Sequence, residues 1–165
     1  MPSSAPVCPV PSEQQPINEY QELRESWFFR WATLDTAGFI KPIAILWLLN
    51  WVIAGPVAAV SFPIAKHPAQ FLLLGSAGAL FIPMLALLRL YLGWIYVCNR
   101  LADPAVFYEE SGWYDGQVWT KPEEVVQRDK LIVNYQLKSL LKRLKITFGV
   151  IALLYGLDAA LWAVL

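Results

Sequence analysis

Of the 26 charged side chains in this 165-residue chain, 23 fall within residues 1–42 and 99–145, and the remainder of the sequence is three long apolar runs. The runs, residues 43–62, 71–98 and 146–165, each reach the roughly 20 residues that carry a helix across a hydrocarbon core about 30 Å thick. Inside them the only charges are Arg89 and Asp158, and Lys66 sits in the connection between the first two. The division predicts an all-α integral membrane protein with three transmembrane helices, over residues 42–65, 69–98 and 146–165.

Orientation follows from lysine and arginine. Arg24, Arg30 and Lys41 precede the first run and eight more lie between the second and third, so one side carries 11 against Lys66 alone on the other. The N-terminus and the large second loop are expected on the cytoplasmic or stromal side. Net charge is zero, which gives no global attraction to nucleic acid. Cys8 and Cys98, both expected on or near the reducing side, predict no structural disulfide. With His67 the only histidine, a two-histidine haem site within one chain is excluded by count.

The first 30 residues show no apolar signal core, so the first span is expected to act as an uncleaved insertion signal. Residues 1–18 read as an extended, proline-rich tail. Asn18 with Gln21 offers a helix start, and Trp27, Phe28, Phe29 and Trp31 place the segment before the first span on the membrane surface. Arg89, ringed by Tyr91, Trp94 and Tyr96, reads as a snorkelling arginine at the interface. The 45 or so residues after Arg100 are too few for a large independent core. Within them the turn signals Ser111-Gly112 and Asp115-Gly116 predict a short β-ribbon over 106–119. Thr120 and Glu123 form a capping box around Pro122, and the amphipathic helix of 122–145 is expected to run directly into the third span, making about 44 residues.

Asp158 is the only ionisable group well inside a span. A carboxyl there can pair with a partner subunit, carry protons or ligate a pigment metal; the plainer alternative is a protonated group, or one bonded to a hydroxyl such as Ser76 or Ser61. Arg89 is no mate for it, being roughly 18 Å away along the membrane normal. Glu109, Glu110 and Asp115 match no EF-hand spacing and read as a solvated acidic loop. Tyr108, Trp113, Tyr114 and Trp119 are ring types that anchor protein interfaces, and they can equally cover the helix or rest on the bilayer. Lys138, Lys142, Arg143 and Lys145 form a juxtamembrane basic cluster that marks topology and attracts anionic lipid. Cys8 and Tyr20 complete the candidate interaction residues; Cys8 offers a thiol for acylation or metal ligation.

The run Cys8-Pro9-Val10-Pro11, then Glu13-Gln14-Gln15-Pro16 and Asn18-Glu19-Tyr20, together with residues 108–117 and Trp119, resembles the hypothetical chloroplast open reading frame thirty-six family, also called the conserved-in-green-lineage-and-diatoms twenty-seven-like family. The resemblance covers nearly the whole chain. It implies an oxygenic phototroph, a cyanobacterium where no transit peptide precedes the motif, and a thylakoid membrane location. It implies only a loose association with photosynthetic or iron-related physiology and brings no catalytic residues.

No phosphate loop, no nucleophile with a matching base and no metal-ligand set stands in the sequence. The expectation is a non-enzymatic membrane protein that assists assembly or maintenance of a photosynthetic membrane complex, with membrane lipid and a membrane-protein partner. The cofactor is unknown, and no motif supports a pigment. An oligomeric small-solute or iron-related transport component is the alternative, lined by Asp158 and the small residues Gly75 to Ala79. A membrane enzyme would need Glu109, Glu110 or Asp115 as its acid or base.

Overall fold

In the computed structural model, which describes residues 8–110 and 116–165, the chain is organised around one long helix. Helix α1 is Pro16–Glu25, α2 Thr36–Ser61, α3 Pro68–Ala102, α4 Glu123–Ile132 and α5 Lys138–Val164. A π-helical turn at Val133–Leu137 joins α4 to α5, and 3-10 turns sit at Ser12–Gln14 and Arg30–Thr33. Between α3 and α4, strands β1 (Ala105–Glu109) and β2 (Gly116–Thr120) pair antiparallel, Val106 opposite Trp119 and Phe107 opposite Val118.

Three helical rods are long and apolar enough to cross a membrane: Thr36–Ser61, Pro68–Ala102 and the continuous Glu123–Val164, of 26, 35 and 42 residues. Their outward faces carry Val52, Val60, Leu153 and Leu161, all exposed. Exposed apolar surface of this kind is a liability in water and is suited to contact with lipid.

The first rod is close to the thickness of a hydrocarbon core, whereas the other two, at about 52 and 63 Å, outrun it. The excess forms a two-helix stalk. On α3 the buried residues Leu87, Leu90, Trp94, Val97 and Leu101 recur every three or four positions, and they meet Val133, Leu137, Leu141 and Leu144 of the facing rod at the same spacing. Lower down, α2 packs on the small-residue surface of α3. The Asn50 amide donates to the carbonyls of Gly78 and Ala79 at 3.1 Å, and the Trp51 ring lies so close to Gly75 that a Cβ there would be 2.6 Å from it.

Local starts and stops differ from the sequence reading in instructive ways. Helix α2 begins at Thr36, six residues before Pro42, because the Asp35 carboxylate accepts from the Gly38 amide at 3.1 Å and caps it there. Helix α1 begins at Pro16; Asn18 lies inside it and donates instead to the Ser12 carbonyl at 2.7 Å. No side chain caps α4, so the box from Thr120 to Glu123 is not formed, and Glu123 and Glu124 face the positive end of its dipole. Gly116 pairs with Glu109 inside the ribbon and is not the centre of a two-residue turn. The connection lies within 110–115, and residues 111–115, with the Ser111-Gly112 signal and Asp115, lie outside the described residues.

The aromatic segment before α2 belongs largely to the protein interior. Trp31 is buried, Phe29 lies against Gly93 where no side chain intervenes, and the Trp94 indole donates to the Phe29 carbonyl at 3.3 Å. Only Trp27, 87% exposed, points away. Arg89 is exposed and stacks over the Phe29 ring at 5.4 Å, so its stem and head are steadied by that segment.

Candidate functional site

The residues that distinguish the N-terminal segment and the ribbon are brought together at the tip of the stalk. Val10, Val106 and Tyr108 form a small buried cluster with Cys8 and Trp119 packed against it. Gln14 acts as a side-chain strand: its amide donates to the Glu109 carbonyl and its carbonyl accepts from the Glu109 amide, both at 2.9 Å. Gln15 donates back to the Val10 carbonyl at 3.0 Å, which folds residues 10–15 into a compact strap. Proline suits this strap because it holds an extended backbone without needing a donor partner.

Charged groups fasten the strap and ribbon to the helices. Lys121 and Asp129 form an ion pair of 3.0 Å with side chains only 1% and 2% exposed. The Lys121 ammonium also donates to the carbonyls of Arg100 and Leu101 at 3.1 Å, capping the negative end of α3, while Arg128 grips Asp129 from the solvent side at 2.9 Å. Arg100 donates to the main-chain carbonyl of Gln14 at 2.7 Å and stands 3.1 Å from the Glu19 carboxylate, an ion pair without hydrogen-bond alignment. Burial pushes the Glu19 carboxyl above its ordinary range, Arg100 opposes this, and Glu22 adds to it.

Beneath the tip lies a polar pocket of about 330 Å³, walled on one side by the π turn through Tyr135 and Gln136. Tyr20 of α1 donates to the Gln136 carbonyl oxygen across it. Arg24, Thr33, Ser139 and Arg143 supply further polar lining, and among the described residues no acidic side chain lines it. Arg143 turns inward. It donates to the Leu34 carbonyl at 2.8 Å and to the Ala32 carbonyl, with its guanidinium 4.5 Å above the Phe39 ring. A π turn widens a helix locally, and such turns often mark sites where a helix does more than pack.

Deeper in the apolar zone, α2 and α5 both rest on α3 and leave a groove of about 530 Å³ between them. Ile40, Ile43, Trp47, Leu154 and Leu161 line it, with Asp158 on the wall. Tyr155 closes one edge by donating to the Ala77 carbonyl at 2.9 Å, and Phe62 against Trp162 closes the far end. The hydroxyls expected to serve Asp158 are used locally: Ser76 donates to the Leu73 carbonyl and Ser61 to that of Val57.

Of the candidate residues, Cys8, Tyr20, Tyr108 and Trp119 turn inward and build the tip or the pocket wall. Trp113 and Tyr114 lie outside the described residues. Lys138, Lys142 and Lys145 are exposed, while Arg143 leaves that cluster for the pocket. Sequence reasoning missed Lys121, Asp129 and the outward pair Phe107 and Val118; strict alternation along β1 was the available signal for Phe107. Among the described residues no group of three or more metal-ligating side chains forms.

Residues 8–150 match the family described as CGLD27-like, conserved in the green lineage and diatoms 27. The chain is 44% identical over 155 residues to the uncharacterized protein ycf36 of Porphyra purpurea, covering 94% of both chains. It is 46% identical over 139 residues to the chloroplastic protein conserved in the green lineage and diatoms 27 of Arabidopsis thaliana, covering 84% of this chain and 42% of that one. The ycf36 protein of Cyanophora paradoxa is 42% identical over 149 residues, covering 90% of this chain and 94% of that one. No solved structure matches. With the match spanning the strap, all but the end of the helical framework, and the ribbon, this chain, with its three helices long and apolar enough to cross a membrane, belongs to the CGLD27-like family.

Proposed function

We propose that this protein is a non-enzymatic factor of the thylakoid membrane that assists assembly or maintenance of a photosynthetic membrane complex. The charged end faces the cytoplasm or stroma, as the lysine and arginine asymmetry directs, and the partner is a membrane protein met there. The observation that carries the reading is the construction of the stalk tip. Its buried ion pair, its helix-capping lysine and the strap clipped to the ribbon fix a small platform whose outward face holds the cross-strand pair Phe107, 67% exposed, and Val118, 55% exposed. Aromatic and aliphatic side chains on a rigid element are the kind of anchor that desolvates in a protein interface at low entropic cost. The chloroplastic designation of the Arabidopsis relative supports the compartment.

Mild detergent extraction followed by native electrophoresis tests this. The expected result is comigration with a larger membrane complex, lost when Phe107→Glu and Val118→Glu are combined. A chain that migrates alone under every mild condition refutes it.

An oligomeric transport component is supported by the single carboxyl of Asp158 on the groove wall. Under that reading Asp158→Asn abolishes flux in reconstituted vesicles, and unchanged flux removes the residue from any transport step.

A further inference from the structure

We infer that the π-turn pocket and the groove beneath it together form a binding site for one anionic diacyl lipid, its phosphate or sulfonate head between Arg24 and Arg143 and its chains laid between α2 and α5. The inference stands apart from the assembly reading and does not depend on it.

The head pocket has the right charge. Arg24 and Arg143 line it with hydroxyl and amide donors from Tyr135, Ser139 and Gln136, and among the described residues its lining includes no carboxylate, Asp35 acting on Arg143 from outside that lining. Arg24 is exposed and, among the described residues, forms no ion pair, so its guanidinium is available to an incoming anion. Arg143 spends two donor contacts on the Leu34 and Ala32 carbonyls, and its five N–H groups leave others to offer. Guanidinium groups match the oxygens of phosphate or sulfonate with paired, directional bonds, where lysines supply a point charge.

The depth is also right. Arg143 stands three residues before the last apolar run, at the level of lipid headgroups. Along α5, Leu154 lies about 16 Å below Arg143, and along the other wall Ile40 stands four residues into α2, about 6 Å below its start at Thr36. One leaflet of a hydrocarbon core is about 15 Å deep, so chains running down α5 from the level of Arg143 reach the upper end of the apolar groove of about 530 Å³, at Leu154. A soluble anion would use the upper pocket and leave the groove unexplained. A zwitterionic lipid would use the groove and place its own cation among arginines.

Native mass spectrometry of the full chain in detergent micelles, titrated with dioleoyl phosphatidylglycerol or dioleoyl phosphatidylcholine, tests the site. The expected result is one bound phosphatidylglycerol at about tenfold lower lipid concentration than phosphatidylcholine. Arg143→Gln, and separately Arg24→Gln, which leaves every contact described for the fold in place, are each expected to cut that preference at least threefold. Ala44→Trp, which fills the groove, is expected to weaken binding of both lipids. Equal occupancy by the two lipids overturns the inference. So does a preference kept in both arginine variants but lost when Lys138, Lys142 and Lys145 are all changed to Gln, which would assign it to diffuse attraction. Displacement of the bound lipid by millimolar glycerol 3-phosphate would show a free-phosphate site and overturn the lipid assignment.

Discussion

Removing the Lys121 ammonium should open the stalk tip, and the size of the effect can be worked from its contacts. In Lys121→Met the side-chain volume is nearly kept, but the carbonyls of Arg100 and Leu101 lose donors at 3.1 Å and Asp129 loses a partner at 3.0 Å. Breaking a buried pair from one side costs about 3 to 5 kcal/mol. Here the lower figure applies, since Arg128 still holds Asp129 at 2.9 Å. Asp129→Asn should cost less, about 2 kcal/mol, because the ammonium left behind keeps two carbonyls at the negative end of α3. At about 1.4 kcal/mol per tenfold, Lys121→Met raises local opening of the ribbon roughly 150-fold. Hydrogen exchange of the full chain in detergent reads this at the Lys121 amide, which donates to the Pro104 carbonyl, and at the Asp103 amide, bonded to Asn99. The double variant Lys121→Met with Asp129→Leu should recover to within about 1 kcal/mol of the native protein, since no buried charge is stranded. Exchange at these amides within threefold of native in Lys121→Met, or a double variant no better than its worse parent, would refute the idea that this pair fastens the tip.

At Gly75 a Cβ would stand 2.6 Å from the Trp51 ring, so Gly75→Ala should lower thermal stability in detergent by about 1 to 3 kcal/mol, read by tryptophan fluorescence. Gly149→Ala, with nothing within 4 Å, should be neutral or stabilise by up to about 1 kcal/mol. Gln14→Ala removes both bonds to Glu109, which are solvent-exposed, and should release the strap by about 1 kcal/mol, seen as roughly fivefold faster proteolysis before Pro16. Because burial raises the Glu19 carboxyl, the folded state binds its proton to higher pH than the unfolded chain does. Its stabilising share is therefore full below the ordinary pKa of 4.5 and lost as pH rises through the folded value. Glu19→Gln should flatten that part of the stability profile, and an unchanged profile would remove Glu19 as its source.

The helical class, the three rods and the unbroken passage from the amphipathic helix into the last span were legible because each rests on periodicity or run length, which act locally. The helix starts were not. Asp35 wins the start of α2 from Pro42 through one side-chain bond, and Asn18 loses its capping role once Gln15, Ser12 and the strap offer other partners. The inward turn of Arg143 was likewise invisible, since its acceptors at Ala32 and Leu34 are more than 100 residues away in sequence. The two sequence motifs read as separate contact surfaces, yet Gln14 and Glu109 join them directly, Tyr108 is buried in that union, and Tyr20 is buried against Trp94 and bonded to Gln136. Alternation along β1 still points outward at Phe107, the exposed ring among the described residues of the ribbon.

Whether that ring can reach the bilayer is decided by length. Helix α3 has 35 residues, about 52 Å, against a hydrocarbon core of about 30 Å. Tilting the whole helix into the core would need about 55°, beyond the 0 to 40° range of spanning helices, and the facing rod is longer still. If the apolar section leaves the core near Tyr91, then Ala105, where the ribbon begins, stands about 20 Å above it, more than a phenyl ring on a short strand can reach back across. Phe107→Cys, placed in a Cys8→Ser, Cys98→Ser background, should therefore react with a membrane-impermeant maleimide in opened vesicles as fast as a cysteine at Glu109 does, and should be unaffected by lipid-borne quenchers. Protection from the reagent together with quenching from the acyl-chain depth would place the ribbon on the membrane and remove the aqueous docking face.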